Sequence, residues 1–247
     1  GEGPTGVALH EAADRAYVLN RFSNSIAIVR ASTMTRLGEI PLHDPSAATI
    51  RNGRRFLYDA ILSSRHGDAA CSSCHISGDK DDLAWDLGNP DDATQLNPNA
   101  YVSNSPRTTP RFHPLKGPMT TQTLRGMRGN GPLHWRGDRT GTNRQTVRGA
   151  VETLEEAAFK EFNGAFIGLL GRETVLTAAQ MQAFTDFAMR LAMPPNPIRA
   201  LDGSLTTDEA AGRNIYLNVP TTLLGSCDNC HRLRPAEGKF GTGGLMS

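Results

Sequence analysis

The sequence predicts a mainly α fold of two related helical halves behind a short N-terminal β-hairpin segment, and three observations predict it. The pentapeptide Cys71-Ser72-Ser73-Cys74-His75 recurs as Cys227-Asp228-Asn229-Cys230-His231. Each copy follows a helix-like stretch with a glycine and then aromatic and aliphatic residues. These are Gly53-Arg54-Arg55-Phe56-Leu57-Tyr58 before the first and Gly212-Arg213-Asn214-Ile215-Tyr216 before the second. Ahead of both, residues 16–20 (AYVLN) and 25–29 (SIAIV) are β-prone runs separated by Arg21-Phe22-Ser23-Asn24, the pattern of a hairpin.

The pentapeptide carries the chemistry. Two thiols two residues apart reach the two vinyl groups on one edge of a haem, and the histidine that follows lies under the iron as proximal ligand. A lone CxxC also suits a zinc knuckle or a redox dithiol. Two copies, each with the adjacent histidine, favour haem. All the cysteines of the chain are used by the two copies, leaving none for a disulfide. The expected cofactors are two covalently bound haem c groups, attached at Cys71 and Cys74 and at Cys227 and Cys230. His75 and His231 are the expected iron ligands.

The elements follow in chain order. Gly38-Glu39-Ile40-Pro41-Leu42 adds a short third strand, completing a β-rich segment over 1–44. Ser46 to Asp59 reads as a helix opening a first cytochrome c-like haem domain over 45–200. A glycine inside a helix costs about 1 kcal/mol relative to alanine. Its presence in both copies predicts a close backbone approach, as where the first helix of a cytochrome c crosses the last. Gly78 to Arg107 is a long loop rich in Asp, Asn and Pro, and Trp85 within it reads as a packing anchor. Residues 145–193 read as helices, with Met181, Phe184, Ala188 and Leu191 at helical spacing and Pro194-Pro195 as the stop. Met181, Met189 and Met193 read as core fillers rather than ligands. Pro194 to Ser204 reads as a linker. Thr206 and Glu209 form a capping box that opens an incomplete second cytochrome c-like domain over 201–247.

Composition excludes some partners. Across 247 residues, 26 basic and 25 acidic side chains nearly cancel, which argues against nucleic acid or an anionic membrane. Only Lys80, Lys116, Lys160 and Lys239 are lysines; the other basic residues are arginines, whose planar fork suits haem propionates. No run is long and apolar enough to span a bilayer. Haem is attached to c-type cytochromes outside the cytoplasm, so the expected location is periplasmic or otherwise extracytoplasmic. A secretion signal is expected and none stands at Gly1, which reads as a processed chain or a fragment.

Two family resemblances rest on longer stretches. GVALHEAADRAYVLNRFSNSIAIV resembles one repeat of the YVTN β-propellers. One repeat cannot close a propeller, so further blades are expected in a longer product; the alternative is a small sheet packed on the haem domain. From about Pro45 onward, GRRFLYDAILSSRHGDAACSSCH, Gly117 to Leu124 and His134-Trp135-Arg136-Gly137-Asp138-Arg139 resemble the bacterial di-haem cytochrome c peroxidase and MauG superfamily. That resemblance implies peroxide chemistry at the first haem, electron uptake at the second, and Trp135 between them. It places His113 on the distal side of the first haem, as sixth ligand or as proton shuttle, with Met119, Met127 and His134 as rivals. Among Glu155, Glu156 and Glu161 it points to Glu161 as distal acid. Met246 is the candidate distal ligand of the second haem. The family's calcium site uses an asparagine where this chain has Thr120, which argues against Ca²⁺. The loop carboxylates Asp81, Asp82, Asp86, Asp91 and Asp92 lack EF-hand spacing as well.

Two functions follow from these readings. One is a di-haem oxidoreductase that activates peroxide or O₂ and takes electrons from a small redox protein. The other is an electron-transfer subunit of a larger complex, its second haem covered by another chain or by further segments of this one.

Overall fold

The structure is a computed structural model; it describes residues 1–96, 111–113, 118–135, 137–223, 225–229, 231–234 and 239–242. Its first element is a four-stranded antiparallel meander, β1 (Pro4–His10), β2 (Arg15–Asn20), β3 (Ser25–Arg30) and β4 (Thr35–Pro41), in the spatial order β1-β2-β3-β4. The expected hairpin is β2 and β3, joined through Asn24 in a left-handed conformation (φ 48°). The first strand has no clean signature: Pro4 and Gly6 interrupt the β-prone pattern.

The register decides which residues share a face. Ala8, Tyr17 and Ile28 line up across three strands, as do Leu19, Ile26 and Ile40. On the opposite face Val7, Val18 and Ala27 align, and so do Leu9, Ala16 and Val29. Both faces thus carry apolar rows, and on the second the β4 positions are charged, with Glu39 opposite Ala27 and Arg36 opposite Val29. Val7 is 67% exposed on one and Ile40 46% on the other.

Helix α1 (Ala48–Tyr58) runs on through the Asp59-capped turn α2 (Ala60–Ser63) to the first pentapeptide. From there to residue 151 the described chain forms two-residue ladders. Ala84–Trp85 (β5) pairs with Met119–Thr120 (β8), and Gln95–Leu96 (β6) pairs with Arg111–Phe112 (β7). Thr146–Val147 (β9) pairs with Ala150–Val151 (β10). Helices α3 (Leu154–Lys160), α4 (Ala165–Gly168) and α5 (Ala178–Ala188) follow, the first and last opened by Thr153 and Thr177 capping boxes.

The core gathers where α1 meets α5. Phe56 and Leu57 pack with Phe159, Phe166, Leu176, Met181 and Phe184. Gly53 makes this crossing: a Cβ there would stand 1.9 Å from the Ala183 carbonyl oxygen. Beyond α5, α6 (Thr207–Asn218) carries the expected Thr206 cap. The second pentapeptide leads not into a helix but into a hairpin of β11 (His231–Arg234) and β12 (Lys239–Thr242).

The expected mainly α fold of two cytochrome c-like halves is thus corrected to a mixed one. Three physical causes account for it. The β-rich segment is a full meander. The long polar stretch before α3 has too few apolar residues at helical spacing to form helices and makes short ladders instead. Among the described residues the second half shows no crossing: no residue of α6 is buried, and a Cβ on Gly212 would meet none of them within 4 Å.

Candidate functional site

The first pentapeptide forms a single helical turn. Cys71–Ser73 is a 3-10 turn, and the amides of Cys74 and His75 both donate to the Cys71 carbonyl, at 3.3 and 2.9 Å. Cys71 packs against the apolar core, and that desolvation pushes its thiol up to about 11. Burial also raises the Cys74 thiol, with the Asp81 charge adding to it. A redox dithiol works through its thiolate, which such an environment disfavours, whereas a neutral thioether suits it. Among the described residues no three His, Cys, Asp or Glu gather into a metal-holding group.

The histidine is oriented from outside the turn. His75 Nδ1–H donates to the Gln122 carbonyl at 2.8 Å, which fixes the tautomer and leaves Nε2 with the lone pair. Burial lowers the affinity of the ring for a second proton, against the raising effect of the Gln122 and Asp79 carbonyls and the Asp81 charge. A neutral imidazole with one nitrogen anchored by a carbonyl is the form an iron ligand takes, and these residues fit a covalently held haem.

The strand that anchors His75 also anchors Trp135. Segment 119–124 runs against 78–85, through the β5/β8 ladder and through the Thr121 and Leu124 amides donating to Leu83 and Gly78. Trp135 Nε1–H donates to the Thr120 carbonyl at 2.8 Å. Thr120 and Gln122 are two residues apart, about 7 Å at an extended rise. The structure thus brings His75 and Trp135 to one strand. Trp85, in contrast, turns its Nε1–H to Asp81 at 2.8 Å.

Trp135 rides on a pinned hairpin. Leu133 and Arg139 exchange backbone hydrogen bonds, and Gly137 N–H donates to the His134 carbonyl at 3.0 Å. Glu155 Oε1 accepts from the Gly131 amide at 3.0 Å, and Glu161 Oε1 from the Gly141 amide at 2.9 Å. Glu156 is taken up by the α3 capping box. Glu161 therefore holds a loop end in this structure. His134 Nδ1 bonds Asp138 Oδ1 at 2.6 Å, and its ring stands edge-on to Phe162. Met127 packs against the core, and Met119 pairs with Trp85 across the β5/β8 ladder.

The remaining candidates are placed less fully. His113 is half-buried just after β7. Cys227–Asn229 repeats the 3-10 turn, Thr221 Oγ1 lies 3.7 Å from Cys227 Sγ, and His231 begins β11. Cys230 and Met246 lie outside the described residues. Among the described residues no helix is long and apolar enough to cross a membrane.

Sequence reasoning missed Gln122 and gave Asp138 no role of its own, and it considered Glu155 only as a distal acid. A backbone carbonyl such as that of Gln122 leaves no trace in the sequence. The four-residue spacing of His134 and Asp138 was a readable signal, because a carboxylate one short turn away orients an imidazole.

No family model and no curated relative matches the chain. Among solved structures it is similar to hydrazine synthase from Kuenenia stuttgartiensis pressurised with xenon, at 23% identity and a TM-score of 0.45. That match covers 81% of this chain and 54% of the other, so the chain spans about half the length of the structure it resembles.

Proposed function

We propose that the chain is an extracytoplasmic di-haem c-type oxidoreductase of the cytochrome c peroxidase/MauG type. When bound, the haem at Cys71 and Cys74 would supply peroxide or O₂ activation, and the haem at Cys227 and Cys230 electron relay. The observation that carries this reading is the shared strand: Gln122 orients the His75 ring while Thr120, two residues earlier, holds the Trp135 indole. An oxidisable ring tied to the segment that sets the proximal ligand is more than a passive haem support requires. The Thr120 carbonyl cannot accept the indole proton outright, so it holds Trp135 in place without discharging it. The Glu155 and Glu161 contacts keep the hairpin rigid. The N-terminal sheet, with apolar rows on both faces, is read as one propeller blade, whose faces stack on neighbouring sheets.

Intact mass tests the cofactors: it should exceed the polypeptide by two haem equivalents and keep that excess after denaturation. Trp135→Phe tests the relay. Both haems should still attach, while peroxide turnover and interhaem transfer, followed by rapid-mixing spectra of each haem, fall by orders of magnitude. Unchanged transfer removes Trp135 from the mechanism. Transfer without any peroxide reaction in the wild-type chain selects the electron-carrier reading instead.

A further inference from the structure

Three arginines from three separate segments converge on one cavity of about 170 Å³ beside the α1–α5 crossing. Arg128 comes from the loop before the Trp135 hairpin, Arg148 from the β9–β10 turn, and Arg190 from just beyond α5. Ile50 and Met189 supply apolar lining. Two carboxylates also line the cavity, so it carries three cationic side chains against two anionic ones. Glu156 accepts the Thr153 amide at 2.9 Å. Asp186 takes Arg148 at 2.9 Å and the Gln182 amide at 2.8 Å.

Arg148 is thus matched, whereas among the described residues neither Arg128 nor Arg190 is paired with a carboxylate. Arg148 adopts a left-handed backbone (φ 52°) at its turn, a conformation uncommon outside glycine, asparagine and aspartate. A cation at the end of α5 is favoured by the helix dipole alone, which accounts for Arg190. It does not account for Arg128, which arrives from another segment. Asp186 answers Arg148, and Glu156 sets one negative charge against the exposed guanidinium groups of Arg128 and Arg190, which leaves a net positive lining suited to a compact oxyanion.

We propose that this cavity binds a compact oxyanion, a phosphate or a carboxylate group, between Arg128 and Arg190, with Arg148 held in reserve by Asp186. The lining shares no residue with the Cys71–His75 turn. Because the ligand would join the loop at Arg128 to the end of α5, binding stabilises the folded chain.

Calorimetry on the full haem-loaded chain, at low chloride, tests it with inorganic phosphate, sulfate and acetate as separate titrants. Saturable binding at millimolar or lower concentration is expected from at least one. Phosphate and sulfate without acetate would assign a tetrahedral anion, and acetate alone a carboxylate. The double variant Arg128→Ala/Arg190→Ala should weaken binding at least tenfold and abolish the ligand-induced rise in melting temperature. Arg144→Ala, an exposed arginine away from the cavity, should leave both unchanged. Circular dichroism and the haem spectrum of each variant report that the fold is kept. No binding by any titrant, or binding in the double variant within twofold of the native chain, would overturn the proposal.

Discussion

Asp138 shows what one side chain does for the Trp135 hairpin. It is 6% exposed and accepts from His134 Nδ1 at 2.6 Å, with Arg139 3.9 Å away. Burial works to raise its carboxyl, yet the hydrogen bond and charge of His134 and the charge of Arg139 hold it below the ordinary range. A group lowered in this way contributes stability that is present above the unfolded value of about 3.9 and is lost as pH falls through the folded one. Asp138→Asn should therefore cost about 1–3 kcal/mol near neutrality. The deficit should shrink as pH falls below about 4 and on through the lowered range in which the native carboxyl takes up its own proton. Urea unfolding of both proteins across that range checks this; parallel pH curves would show that Asp138 does not titrate against His134. The motif HWRGDR was legible as a tryptophan motif. His134 was read there only as a rival iron ligand, although its four-residue spacing from Asp138 was a signal that the two pair.

At the scale of elements, the two glycine-bearing helices separate what sequence can and cannot tell. The β-prone runs around a turn marked β2 and β3, and Thr206 with Glu209 marked the start of α6, since both signals are local. The paired glycines were read as two crossings, but a crossing needs a second helix, and the sequence of one helix does not contain its partner. Gly53 meets Ala183 of α5, whereas Gly212 meets nothing within 4 Å among the described residues. Alanine should act with opposite sign at the two positions. Gly53→Ala forces its Cβ into a backbone carbonyl that cannot yield as a side chain would, and should destabilise by about 1–3 kcal/mol or more. Gly212→Ala removes only the entropic cost of glycine in a helix and should stabilise α6 by about 0.5–1 kcal/mol. Thermal unfolding followed by helix circular dichroism compares them, and a stability loss at Gly212 would mean that α6 does have a close neighbour.

Across the whole molecule, the β-sheet meets α1 by its end and keeps both faces open. Arg21, in the β2–β3 turn, lies 4.3 Å from the Tyr58 ring centre, and Arg55 lies 6.0 Å from that of Phe22. Arg55 pairs with Glu2 at 3.2 Å and Arg54 with Asp44 at 3.4 Å. These contacts are cationic and join residues far apart in sequence, so no local pattern announced them; only the sheet and the helix were legible separately. Each is a partly exposed contact worth about 0.5–1 kcal/mol, so the attachment is modest and divided among several. Arg21→Ala removes the closest cation–aromatic contact. If the sheet draws stability from its seat on α1, the amides of β2 and β3 should then exchange about fivefold faster with deuterium, the factor that corresponds to about 1 kcal/mol of local stability. The amides of α1 and α5, held by the core around Phe56 and Phe184, should keep their native rates. Unchanged exchange throughout would show that the sheet is stable without α1, and equal acceleration everywhere would show that sheet and helices unfold as one unit.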